Sequence, residues 1–135
     1  EGFKAMKKLK AEGFNITATA IYTSMQAFIA GKCGADYAAP YVNRIDNFGY
    51  DGVQIAKDIH DIFKKNNLKT EVLAASFKNS QQILELTRYG VGASTIAPDV
   101  IENLVKNQAV TAAVDVFVKD FENLIGEKNK TMSDC

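Results

Sequence analysis

The sequence predicts an α/β chain built on a parallel sheet, and three observations carry that expectation. Short β-branched runs alternate four times with segments of helical period, the repeat of parallel strands joined by crossover helices. These runs are rich in Ala, Val, Ile and Thr, as strands covered on both faces tend to be. No G-x-G-x-x-G or G-x-x-x-x-G-K-[ST] segment follows any of them, so both nucleotide-binding forms of the open sheet lose support. Polar residues at the strand exits, Arg44 and Ser76, favour a (β/α) barrel instead, because a barrel carries its site at the C-terminal ends of its strands. A closed barrel takes eight strands and about 250 residues. Four strands in 135 residues therefore read as half a barrel.

Each element has its own local signal. In "EGFKAMKKLKAEG" the spacing of Phe3, Met6 and Leu9 predicts a helix, which Gly13 stops. "NITATAIY" (15–22) is the first strand, and "SMQAFIAGKCG" a compact helix with Ser24 as its cap. "YAAPYVN" (37–43) is the second strand, followed by the loop "RIDNFGYDG". Val53, Ile55, Ile59, Ile62 and Phe63 then mark a longer helix to about Asn66. "EVLAASF" (71–77) is the third strand. It leads into "NSQQILELTRYG", a helix capped by Asn79 or Ser80 and stopped by Gly90. "ASTIAP" (93–98) is the fourth strand, a helix starts near Pro98 or Asp99, and "VTAAVDVFVKDFENLIG" is a last amphipathic helix. Residues 127–135 read as a polar tail.

Sixteen basic residues balance sixteen acidic ones, so no global field draws the chain to nucleic acid or to a membrane. An anion site, if present, must be local. Cys33 and Cys135 are too few for a disulfide scaffold and match no metal-ligand spacing. No apolar run approaches the roughly 20 residues of a membrane span, and a reducing cytoplasm is the expected setting.

Alternation along the strands groups the side chains that share a face. Thr17, Thr19 and Ile21 fall together, as do Tyr37, Ala39, Tyr41 and Asn43, and Val72, Ala74 and Ser76. On this reading Thr19, Tyr41 and Ser76 converge, with Arg44 just beyond its strand and with Ala39 and Ala74 leaving room for a ligand. The guanidinium fork of Arg44 beside the Ser76 hydroxyl suits a phosphate, and Tyr41 suits hydrogen bonding or proton transfer. The plain alternatives are packing roles for Thr19 and Ser76 and a surface pairing of Arg44 with Asp46. His60 is expected on a solvated face with Lys57 and Lys64. Lys78 follows a strand exit, but a loop position offers little of the desolvation that a Schiff-base lysine needs.

The segments "TATAIY", "GADYAAPYVNRID" and "VLAASFK", with the "EGFKAMKKLKAEG" opening, resemble the transaldolase family over residues 1 to about 125, specifically its fructose-6-phosphate aldolase-like branch. The resemblance implies a (β/α)8 TIM barrel, with residues 1–126 as about its C-terminal half and the strands seen here as the fifth to eighth. It implies Schiff-base aldolase or transaldolase chemistry on sugar phosphates such as fructose 6-phosphate, in the pentose phosphate part of carbohydrate metabolism, with no metal or other cofactor. Thr19 resembles the threonine that holds the catalytic water. Tyr41 resembles the tyrosine that orients this water and moves a proton, where true transaldolases carry phenylalanine. Arg44 and Ser76 resemble the pair that binds the substrate phosphate.

The family's Schiff-base lysine lies on the fourth strand, in a segment expected before Glu1, and no lysine of the sequence matches it. The chain is therefore expected to be an inactive fragment, associated either with its own N-terminal half or with further copies of itself. The alternative is a non-catalytic, self-associating half-barrel that binds phosphorylated sugars.

Overall fold

In the computed structural model, which describes residues 1–106, 108–126, 130, 131 and 133, every expected helix and strand forms, though several strands are shorter than the sequence suggests. The order is α1 (Gly2–Ala11), β1 (Thr17–Ile21), α2 (Ser24–Lys32), β2 (Tyr37–Pro40), α3 (Val42–Asp46), α4 (Gly52–Lys65), β3 (Glu71–Ala74), α5 (Ser80–Tyr89), β4 (Ala93–Ser94), α6 (Pro98–Val105) and α7 (Gln108–Ile125). Two compact units result, Glu1–Ile101 and Glu102–Cys135. The first holds the sheet and its core, and α7 lies in the second. The polar tail falls mostly outside the described residues, as does Cys135, while Cys33 is a free thiol at the C-cap of α2.

The caps follow local chemistry. α2 is capped by Thr23 rather than Ser24: the Thr23 hydroxyl accepts from the Gln26 backbone N–H, and the Gln26 side chain accepts in return from the Thr23 N–H. Asp51 caps α4 and Asn79 caps α5, and Gly90 closes α5 in the left-handed conformation. The expected loop at 44–52 begins instead as a helical turn, because α3 occupies Val42–Asp46.

All the strand pairings are parallel, in the order β1-β2-β3-β4. One face of the sheet is covered by helices. Val53, Ala56, Ile59 and Phe63 form the buried stripe of α4 and join Ala27 and Ala30 of α2, Ile83 and Leu86 of α5, and Ala18, Ile21, Ala38, Val72 and Ala74 of the strands in one core. The small residues of α2 let this layer close. A Cβ on Gly31 would stand 2.9 Å from Leu68 Cδ1 and 3.1 Å from Thr70 Oγ1.

Two expected face assignments change. Ile21 points into the core with Ala18, not to the side of Thr17 and Thr19, because the β1–β2 register shifts between Ala18 and Ile21 and Ala20 takes a left-handed φ of 56°. Val72 and Ala74 also belong to the helix-covered core, so Ala74 leaves no room for a ligand; Leu73 and Ala75 occupy the opposite face. Asn43 lies in α3, beyond the end of β2. The fourth strand is two residues long rather than six, and no helix among the described residues is long and apolar enough to cross a membrane.

Candidate active site

At the C-terminal ends of the strands, on the face that the helices leave open, lies a cleft of about 430 Å³. Thr19, Tyr41, Arg44 and Ser76 all line it, together with Thr17, Ala39, Leu73, Ala75 and Thr95. The four side chains singled out in the sequence are thus neighbours in space.

Local backbone features put them there. The left-handed turn at Ala20 ends the alternation of β1 immediately after Thr19. Tyr41 leaves β2 through a parallel bridge to Ala75 and then starts α3. No side chain caps α3. Its first N–H groups hang from the end of β3 instead, Val42 donating to the Ala75 carbonyl (2.9 Å) and Asn43 to the Ser76 carbonyl (2.8 Å). Ser76 reaches the cleft because its φ is 62°, so strand parity no longer decides which way it faces. Left-handed non-glycine residues cost on the order of 1–3 kcal/mol each and gather at functional sites.

Thr19 Oγ1 and Tyr41 OH lie 3.0 Å apart, a hydroxyl pair in which either oxygen can donate. The Arg44 guanidinium sits 4.6 Å from the centre of the Tyr41 ring. Among the described residues no ion pair engages Arg44. Asp46 is committed elsewhere, Oδ1 accepting from the Gly52 N–H (2.7 Å) and Oδ2 from Gln82 Nε2 (2.6 Å). The surface pairing of Arg44 with Asp46 is therefore not formed. An exposed guanidinium held against an aromatic ring, with its donors directed at no carboxylate, is suited to an anionic ligand. Beside it, Tyr22 meets Tyr41 edge-on at 5.9 Å and extends an aromatic wall to Phe48.

Neither other candidate reaches the cleft. Lys78 is exposed, its backbone N–H donating to Gln82 Oε1, and among the described residues no lysine lines the cleft. His60 is half-buried rather than solvated, edge-on to Tyr89 at 5.9 Å, and faces a separate cavity with Lys64 and Lys69. Leu73, Ala75 and Thr95 of the lining, and the Asp46–Gln82 bond, are not among the candidates that the sequence offers. Leu73 and Ala75 follow from the register of β3 on β2, in which Ala38 pairs with Val72 and Tyr41 with Ala75; nothing in the sequence flags Gln82.

The sequence pattern described as transaldolase/fructose-6-phosphate aldolase matches residues 1–134. The chain belongs to this family. Relatives named probable transaldolase include one from Clostridium botulinum (strain Hall), 36% identical over 127 residues, covering 94% of this chain and 58% of the relative. Another, from Nitrosopumilus maritimus, is 34% identical over 128 residues with the same coverages, and one from Thermodesulfovibrio yellowstonii is 36% identical over 124 residues, covering 92% and 58%. The chain thus spans under two thirds of the length of these transaldolase relatives. Among solved structures, a mandelate oxidase variant superposes with a TM-score of 0.52 at 16% identity, over 70% of this chain and 30% of that one, a likeness of fold alone.

Proposed function

We propose that the cleft is the phosphate-binding and proton-transfer side of a Schiff-base aldolase or transaldolase acting on sugar phosphates such as fructose 6-phosphate, in the cytoplasm. The observation that carries this reading is the hydroxyl pair Thr19–Tyr41 set against an Arg44 that no ion pair engages among the described residues, at the C-terminal ends of parallel strands. Family membership supports the reaction class. In the reading, Arg44 and Ser76 hold the phosphate, which fixes the sugar chain across the cleft. Tyr41 then takes or gives the proton of the hydroxyl beside the breaking carbon–carbon bond, while Thr19 holds the water that serves the imine. The sheet would be strands five to eight of a (β/α)8 barrel, and the nucleophilic lysine would come from a strand outside this chain.

That no lysine lines the cleft among the described residues also favours a second reading, a self-associating half-barrel that binds phosphorylated sugars without turning them over. Borohydride trapping separates the two. A polypeptide of the relatives' full length, containing this chain, is expected to form a reduced adduct with dihydroxyacetone or fructose 6-phosphate, while residues 1–135 alone form none. An adduct on Lys78 or any other lysine of this chain would overturn the assignment, and no adduct in the longer polypeptide would favour the binding module.

A further inference from the structure

Asp46 and Gln82 tie together the two segments that carry Arg44 and Ser76. Asp46 follows Arg44 by two residues on α3. Gln82 is buried in the first turn of α5 with 7% of its surface exposed. Its Nε2 donates to Asp46 Oδ2 at 2.6 Å, and its Oε1 accepts at 3.0 Å from the backbone N–H of Lys78, two residues after Ser76. The other carboxylate oxygen, Asp46 Oδ1, accepts from the Gly52 N–H at 2.7 Å. One amide and one carboxylate thus satisfy three bonds, each with a fixed direction. An apolar pair would pack here without such directional demands, whereas a polar pair with a single satisfied arrangement enforces one spacing.

We propose that Asp46 and Gln82 are a positioning pair that sets the separation of Arg44 and Ser76, and thereby the affinity of the cleft for a phosphate-bearing ligand. This rests on reading Arg44 and Ser76 as the phosphate site. The polarity of the pair supplies the test. Asp46→Asn alone sets two amide donors against each other, and Gln82→Glu alone sets two carboxylates together. The double variant restores all three bonds in reverse: the asparagine amide donates to the new carboxylate, whose other oxygen accepts from Lys78, and the asparagine carbonyl accepts from Gly52.

Inorganic phosphate is titrated into the chain by NMR, with thermal midpoints recorded so that affinities are compared only where each variant is folded. Each single variant is expected to weaken phosphate binding about tenfold, and the double variant to recover to within about threefold of wild type. With sulfate as probe, whose charge does not follow the pH, Gln82→Glu should regain affinity as the pH falls and a proton enters the carboxylate pair. Should a single variant not fold, Gln82→Met removes both Gln82 bonds without adding charge and should show the same loss. Wild-type affinity in the folded single variants, or no recovery in the folded double variant, while Arg44→Ala loses binding, overturns the positioning role alone. Absence of phosphate binding in the wild type, or binding that survives Arg44→Ala, overturns the phosphate site and the positioning role with it.

Discussion

The hydroxyl of Tyr41 and its ring have separable partners: the oxygen meets Thr19 at 3.0 Å and the ring carries Arg44. Tyr41→Phe should therefore delete the first contact and keep the second. In a catalytically complete form, the aldol turnover is expected to fall by about 10²-fold or more, the range of general acid–base catalysis, with KM for a phosphorylated substrate little changed. An unchanged kcat would remove Tyr41 from the proton path. Tyr41 was readable in the sequence from the side-chain alternation of the expected strand 37–43, and Arg44 from its place just past that strand. Ser76 was named through a parity that the fold does not keep, since its left-handed backbone turns it into the cleft. No residue pattern announces a positive φ at a serine or at Ala20.

Between elements, contacts too close for any side chain decide where α3 sits. A Cβ on Gly52 would lie 2.1 Å from the Val42 carbonyl oxygen and 2.8 Å from its carbon, and backbone cannot swing aside. Gly52→Ala is expected to destabilise the chain by about 3 kcal/mol or more and to weaken phosphate binding through α3, as read by denaturant midpoints and titration. Gly2→Ala, with nothing within 4 Å, is the control and should be neutral. Arg44 to Gly52 reads as a loop in the sequence because a five-residue helix leaves no periodicity to detect. Helix α1 is held by a different device. Lys10 Nζ donates to both oxygens of Asp36 at 2.6 and 2.8 Å, and the Ile16 N–H donates to the same carboxylate. The Lys10 hydrogen bond first, then that from Ile16, lowers the Asp36 pKa below its ordinary value of 3.8. A lowered folded pKa stabilises fully above the unfolded value and is lost as the pH falls through the folded one. Exchange protection of α1 amides should hold from neutral pH down to about pH 4 and drop below it, with Asp36→Asn showing the drop at neutral pH. Equal protection in that variant would show that packing alone holds α1.

At the scale of the whole molecule, the parallel sheet was readable because βα alternation with short crossovers leaves few topologies open. Its exposed surface was less so: Ile21, Val72 and Ala74, expected on the open face, are buried under the helices. What stays open is the outer edge of the sheet. β1 and β4 end the strand order, and the outer side of Thr17–Ile21 presents backbone N–H and C=O groups with no neighbouring strand among the described residues. Within α7, Val110, Val114, Phe117, Phe121 and Ile125 recur at spacings of three and four, an apolar stripe that demands cover. Strand edges and apolar stripes both drive association, the first through paired backbone groups and the second through about 25 cal/mol per Å² of apolar area removed from water. The chain is therefore expected to self-associate, or to hold a second polypeptide that completes the sheet. Light scattering after size exclusion should report a mass well above 14.8 kDa at micromolar concentration. Because the α7 stripe is apolar, the assembly should survive high salt, and paired charges in its place, Val114→Glu with Phe117→Lys, should shift it toward monomer. A monomer of unchanged stability at micromolar concentration would show that neither the β1 edge nor the α7 stripe needs a partner, and would remove the reading of this sheet as part of a closed barrel.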